Sequence, residues 1–311
     1  MDFRGISLEL CLPYLAGAVV FILGVIGIRR EFSTARGVDR IICLGPMFLA
    51  IPMAVYGADH FVFTGFIVRL VPKWIPGHLF WVLLVGICLI TGALSLALRR
   101  YATLAAASFG TMLFLFVLLL WIPGIVHRPS DRFAWGFALR DMAWGAGALS
   151  FAAAQAPARW TGSAKIVLTV ARVAIGVAAV FFGVEHFLHP EFKPGLVDQQ
   201  LTPLWIPARL LLAYLTGVVL LITGMTIALN KGTKLAAVGL GLMLLLLAVL
   251  VYLPVTIGQP AAIDGGLNFL AGMLLFSGSL LCLAGSYRAR LTPYEENVTV
   301  YQKDAGIQTS I

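Results

Sequence analysis

Two short stretches set an acid and an imidazole side by side at the end of an apolar run: "VYGADHFVFTGF" at 55–66 and "FFGVEHFLHPEF" at 181–192. In each, a glycine precedes an acid, a histidine and a phenylalanine, giving Asp59-His60-Phe61 and Glu185-His186-Phe187. A carboxylate next to an imidazole, which titrates near neutral pH, can exchange protons or hold a polar head group. Arg140 and Asp141 lie within another apolar stretch, and Asn268 lies in a corresponding later one. Charges at such depth are costly and normally find partners. Residues 140 and 141 are helix neighbours pointing about 100° apart, so the expected partners are on other helices, with Asp59, His60, Glu185 and His186 at matching depth. The plainer alternatives are that each acid-His pair only marks the end of a span, that Arg140 snorkels to the interface, and that the polar groups clamp helices together. His186 and His189 stand three apart near Glu185 and Glu191, but the first stretch has no counterpart to His189, so no metal site is expected.

The elements that must carry these residues are membrane spans. Of 311 residues, 60% are hydrophobic and 12% charged, with a mean hydropathy of +0.95, well beyond the roughly half-apolar composition of soluble domains. Apolar runs that can cross a core of about 30 Å recur along the chain and must be helical, since lipid offers backbone amides no partner. The expectation is an all-α integral membrane protein with nine spans at 8–28, 41–56, 79–98, 102–122, 133–154, 166–184, 208–229, 235–257 and 265–285. The second is short and holds Pro46 and Pro52, and the fifth holds Arg140 and Asp141. A count of eight would make one of these re-entrant or interfacial.

Lysine and arginine crowd alternate loops: Arg29, Arg30, Arg36 and Arg40, then Arg99 and Arg100, Arg159 and Lys165, Lys231 and Lys234, and Arg288 and Arg290. These loops are assigned to the cytoplasm, which places the N-terminus and both acid-His pairs outside and the C-terminus inside. The formal charge of +8 is thus a topology signal, and no basic cluster points to nucleic acid. The first span runs into Arg29-Arg30 without a small-residue cleavage site and is read as retained. The four cysteines sit singly, without C-x-x-C, as thiols expected to be buried and inert.

The chain also repeats. "VPKWIP" at 71–76 corresponds to "TPLWIP" at 202–207, Thr91-Gly92 to Thr223-Gly224, "WIP" at 121–123 to "YLP" at 252–254, and Asp141 with Gly145 to Asn268 with Gly272, at offsets of 126 to 132 residues. The offset grows by about five after the acid-His pair, so the second outer loop is longer. Four spans per unit return the chain to the same side, which predicts two parallel four-helix bundles, 41–157 and 158–286, after an N-terminal helix and loop at 1–40 and before a polar cytoplasmic tail at 287–311. Glycine-rich faces such as "WGAGALSFAAA" at 144–154 are expected to pack helices closely. Trp74 and Trp205, ahead of spans three and seven, are either interfacial anchors or lids over a lipophilic ligand.

At these residues the sequence resembles the DoxX-like membrane proteins: Gly57 with Asp59-His60-Phe61, Pro72 to Pro76 and Thr91-Gly92, then Gly183 with Glu185-His186-Phe187, Pro203 to Pro207 and Thr223-Gly224. The resemblance spans about 250 residues. It departs from the pattern before the second-helix glycine, where members often carry Glu and this chain has Thr91 and Thr223, so no role of that acid carries over. The resemblance implies a bacterial inner-membrane protein, some relatives of which are associated with quinone-linked sulfur oxidation or with membrane redox complexes. A quinone or similar lipophile is therefore the expected ligand of Asp59, His60, Glu185, His186, Arg140, Asp141, Asn268, Trp74 and Trp205, in the lipid bilayer and beside a redox partner protein. No haem, flavin or iron-sulfur motif is present, so no cofactor is expected to be intrinsic. The alternatives are a non-catalytic anchor or assembly subunit and, third, a transporter, for which the nearly apolar inner halves of the spans offer little.

Overall fold

The computed structural model describes residues 8–195 and 200–288; the stretch 289–311, with Arg290 and most of the expected polar tail, lies outside them. Apart from one isolated bridge between Phe192 and Leu201, the described residues form helices and connections. Nine helices are long: α1 (Cys11–Thr34), α2 (Gly45–Val62), α3 (His78–Ala97), α4 (Ala102–Phe116), α5 (Arg132–Ala154), α6 (Thr161–Leu188), α7 (Arg209–Ala228), α8 (Thr233–Leu247) and α9 (Leu267–Arg288).

Among the described residues, eight helical segments are long and apolar enough to cross a membrane. The long helix outside that set is α5. At 1.5 Å per residue its 23 residues are long enough, but Arg132, Arg140 and Asp141 among alanines and glycines lower its apolarity. It lies against α4, α6 and α9, so protein rather than lipid meets its polar groups. The other doubtful span, α2, is a full helix. Pro46 occupies its first turn, where no amide is needed, and Pro52 sits in its interior. Nearly all of α2 is buried, and such enclosure lets a membrane helix tolerate the amide that Pro52 lacks.

Several boundaries differ from the sequence expectation. Helix α1 continues to Thr34, beyond the apolar limit at 28, because exposed Arg29, Arg30 and Glu31 lie past the span and favour helix. Helix α2 continues past 56 to Val62 and α6 past 184 to Leu188, so both acid-His pairs lie within a last helical turn. Cys88 is exposed on α3 rather than buried.

Helices α2, α5, α6 and α9 form the centre. Helix α2 packs on α9, α6 on α5, and α5 on α9, while α2 barely touches α5 and α6 barely touches α9. The first and last helices of each four-helix stretch therefore meet the other stretch more than each other. Helices α3, α4, α7 and α8 surround this centre, with α1 on α2 and α3. Apolar side chains such as Leu15, Ile22, Leu104, Leu215 and Leu246 face outward.

Small residues set the helix spacings. A Cβ on Gly147 of α5 would lie 2.2 Å from Ser279 Cβ of α9, and one on Gly278 of α9 would lie 2.8 Å from the α2 backbone at Phe48. Glycine pairs also bring α2 onto α3 (Gly57, Gly86), α4 onto α5 (Gly110, Gly145) and α6 onto α7 (Gly176 and Gly183 with Gly224 and Gly217). With lipid on every side, such close packing is what attracts the helices to one another.

Helices α4 and α8 each run into a π-helical turn, Val117–Trp121 and Ala248–Tyr252, and continue as Ile122–His127 and Leu253–Gly258. Pro123 and Pro254 account for both turns: each lacks an amide and its ring crowds the carbonyl four residues earlier, which the wider turn relieves.

The crossing at Gly147 yields a test. Gly147→Ala is expected to destabilise the protein by about 1–3 kcal/mol, whereas Gly239→Ala, with nothing within 4 Å, is not. Thermal unfolding in detergent compares them, and equal midpoints would refute the tight crossing.

Candidate functional site

The acid-His motif divides over two faces of its helix. Gly57, His60 and Phe61 are spaced three and four apart and face α3, where a Cβ on Gly86 would meet His60 Cβ and the Phe61 ring, each at 2.9 Å. Gly217 of α7 meets His186 Cβ at 3.0 Å and the Phe187 ring at 2.9 Å in the same way. The acid lies about 100° around the helix and is buried in both cases. Thus the glycine and phenylalanine seat the histidine, and the acid points towards the other stretch.

Both imidazoles are oriented alike. His60 Nδ1 donates to the Tyr56 carbonyl at 2.7 Å, and His186 Nδ1 to the Phe182 carbonyl at 2.6 Å. A carbonyl only accepts, so Nδ1 carries the proton and Nε2 presents a lone pair. His186 Nε2 accepts the Gly195 amide at 2.8 Å. Among the described residues no donor reaches His60 Nε2.

The acids differ as well. Arg132, on the first turn of α5, reaches Glu185 with Nε and Nη2, each at 2.9 Å; its guanidinium also lies over Phe133 and Phe192. Asp59 makes no ion pair among the described residues. It lies beside the Asn268 side chain and near Asp264, and its Oδ1 is buried without a hydrogen-bond partner. Asn268 Oδ1 and Trp144 Nε1 are also buried without partners. Tyr56 links these groups: its hydroxyl donates to the Asn268 carbonyl at 2.9 Å, and its ring stacks on Trp144 at 6.0 Å. Beside them Tyr14 of α1 donates to the Pro260 carbonyl.

Arg140 and Asp141 contradict the expectation that they could not satisfy each other. Arg140 Nε and Nη2 lie 3.1 and 3.0 Å from Asp141 Oδ1, and Trp121 Nε1 donates to Oδ2 at 2.7 Å. The long arginine side chain curls back because Phe137 and Trp144 hold its guanidinium, each ring centroid 4.5 Å away. This group closes on itself and needs neither acid-His pair.

Trp74 and Trp205 are 69% and 57% exposed, and no hydrogen bond or ring contact among the described residues joins them to the polar groups. They are not brought into the site. His189 lies 3.5 Å from Glu191, so it and His186 serve different partners. Five side chains escaped sequence reasoning. Arg132 stands just ahead of the expected fifth span, and antiparallel neighbours bring the start of one span level with the end of the next. Trp144 was read only within a packing face, although a mid-span indole amide needs an acceptor. Trp121 and Tyr252 stand in the sequence only as matched repeat positions, yet Trp121 binds Asp141, and Tyr252 is fully buried with its hydroxyl on the Pro194 carbonyl at 2.6 Å. Arg172, inside α6, donates to the Ile227 and Ala228 carbonyls at the end of α7. It interrupts the nearly apolar inner half but is spent on that helix end.

No protein-family model, curated protein or solved structure matches the chain.

The Arg132–Glu185 pair can be tested by a double-mutant cycle. Arg132→Met alone strands a buried carboxylate and is expected to cost about 3 kcal/mol, while Arg132→Met with Glu185→Leu recovers most of it. Denaturant unfolding of the four proteins measures the coupling, and additive losses would refute the pair.

Proposed function

We propose that this multi-pass membrane protein binds the polar head of a lipophilic ligand, a quinone or similar molecule, at the end of its helices that carries Asp59 and His60. In this reading the chain is a DoxX-like protein of a bacterial inner membrane. It is built from two parallel copies of a four-helix unit plus α1, with α5 as a ninth span. The acid-His end faces outward, and redox chemistry comes through a partner protein. The duplication is supported by the matched glycine seats, the matched Nδ1 bonds of His60 and His186, and the matched π-helical turns before Pro123 and Pro254. The orientation is supported by the arginines and lysines at the opposite end, where Arg99 pairs with Glu31 and Lys234 with Asp39.

One observation carries the ligand: Asp59 Oδ1, Asn268 Oδ1 and Trp144 Nε1 are buried without protein partners around Tyr56. Leaving a buried polar group unmade costs about 1–3 kcal/mol, and three such groups within one neighbourhood support the reading that a polar molecule is held there. Two acceptors and one indole donor suit an oxygen-substituted ring. Asp59, Asn268 and Trp144 would hold that head, and Tyr56 orients the group around it. A bound quinone would supply the capacity to carry electrons and protons between partners.

The anchor or assembly reading rests on a different observation. The Arg132–Glu185 ion pair, the Arg140–Asp141–Trp121 group and the His186–Gly195 bond join the chain's own groups and act as clamps between elements, with only Arg132 Nη2 among them buried without a hydrogen bond. These clamps stiffen the protein in either case, and they leave the neighbourhood of Asp59 unexplained.

Extraction of purified protein and mass spectrometry of its lipophiles decides between the two. The wild type is expected to hold one ligand in roughly stoichiometric amount, reduced about tenfold or more by combining Asp59→Ala with Asn268→Ala, with folding retained. Equal content in both, or no specific lipophile in either, would favour the anchor.

A further inference from the structure

The two halves differ at one slot, and the second half shows what fills it. There the chain leaves α6 and turns back so that the peptide joining Pro194 to Gly195 bridges two side chains. The Pro194 carbonyl accepts the Tyr252 hydroxyl at 2.6 Å, and the Gly195 amide donates to His186 Nε2 at 2.8 Å. Gly195 has a φ of 108°, a conformation that side-chain-bearing residues rarely adopt, and a Cβ there would meet Met273 Sδ at 2.7 Å. The turn is therefore built to deliver a hydrogen-bond donor to a histidine.

In the first half His60 is held by the same Nδ1 bond, so its Nε2 presents the same lone pair. The counterpart of Tyr252 is Trp121, the last residue of the equivalent π-helical turn, and its donor goes to Asp141 instead. The connection at 63–77 is five residues shorter than the one at 189–208, and no protein donor among the described residues reaches His60 Nε2. His60 is only partly buried, so a ligand can reach it.

We propose that the ligand's hydroxyl takes at His60 the place that the Gly195 amide takes at His186, so the site selects the reduced, hydroxyl-bearing form of a quinone-type molecule over its carbonyl form. This rests on the ligand-binding reading above and names the form bound. The reason is the balance of hydrogen bonds around Tyr56: among the described residues Asp59 Oδ1 and Asn268 Oδ1 are buried acceptors without donors, against one donor there without an acceptor, Trp144 Nε1, and no donor reaches His60 Nε2. A quinol hydroxyl donates to such acceptors and can still accept from the indole. A quinone carbonyl only accepts, and leaves the three acceptors unmade.

The test is binding of decylubiquinol and of decylubiquinone to full-length protein in lipid nanodiscs without oxygen, read by equilibrium dialysis. The quinol is expected to bind about tenfold tighter or more. His60→Leu should reduce that ratio to near unity, while His186→Leu, whose partner is the protein's own Gly195, should leave it unchanged where that variant folds. If His60→Leu does not fold, the near-isosteric Asp59→Asn takes its place and should also lower the ratio. Equal affinity for the two forms, tighter quinone binding, or a preference that survives both substitutions would overturn this inference while leaving the ligand site standing. Binding of neither probe would overturn both for this ligand class.

Discussion

The crossing of α5 and α9 at Gly147 and Ser279 is the contact on which the remaining arrangement depends. Only the small Ser279 side chain lies between the two helices there, its Oγ donating to the Leu275 carbonyl at 2.8 Å and lying 3.4 Å from the Trp144 carbonyl of α5. Bringing these two helices together at the centre makes α2 lie on α9 and α6 on α5. Each acid at the end of α2 or α6 then meets the last helix of the other four-helix stretch. The polar chemistry at that end is consequently a property of the interlocked molecule and not of either stretch alone.

What each acid finds on the opposite helix differs, and the difference is physical. Glu185 meets a guanidinium from Arg132, and its neighbouring histidine is capped by the Gly195 amide, so both polar groups are matched in a region where unmatched ones are expensive. Asp59 meets an amide and a second carboxyl, and no donor among the described residues reaches His60 Nε2. In the proposed duplication, one copy has been closed by its own chain and serves stability. In the proposed function, the other keeps its hydrogen-bonding capacity for a ligand. Arg140, partly buried and held between Phe137 and Trp144, is paired with the buried Asp141 of its own helix and not with either acid-His pair.

The apolar runs made the membrane class and the helical segments legible, because a span must be helical and about 20 residues long. The acid-His pairs and Asn268 were legible as polar groups at depth. Helix ends were less so: Asp59 and Glu185 lie inside a last turn, since helix continues wherever protein covers its end. Side-chain pairing could not be read from sequence. The 100° separation of Arg140 and Asp141 described Cα directions, while a long guanidinium stem flanked by two rings folded back across it. Arg132 found Glu185 because two antiparallel helices set the start of one beside the end of the other, which needs the packing order. The closing of His186 by Gly195 was foreshadowed only by a loop five residues longer. Nothing in the sequence alone says where such a loop lies.

The central claim is that the first half presents its polar groups to a ligand where the second half presents them to its own chain. A high-resolution map of the protein extracted in native lipid tests it directly. The account predicts non-protein density in contact with His60 Nε2 and close to Asp59 and Trp144, and at His186 Nε2 only the Gly195 amide. Density at His186 from a ligand, or the 63–77 connection folded onto His60 as Gly195 is onto His186, would contradict it.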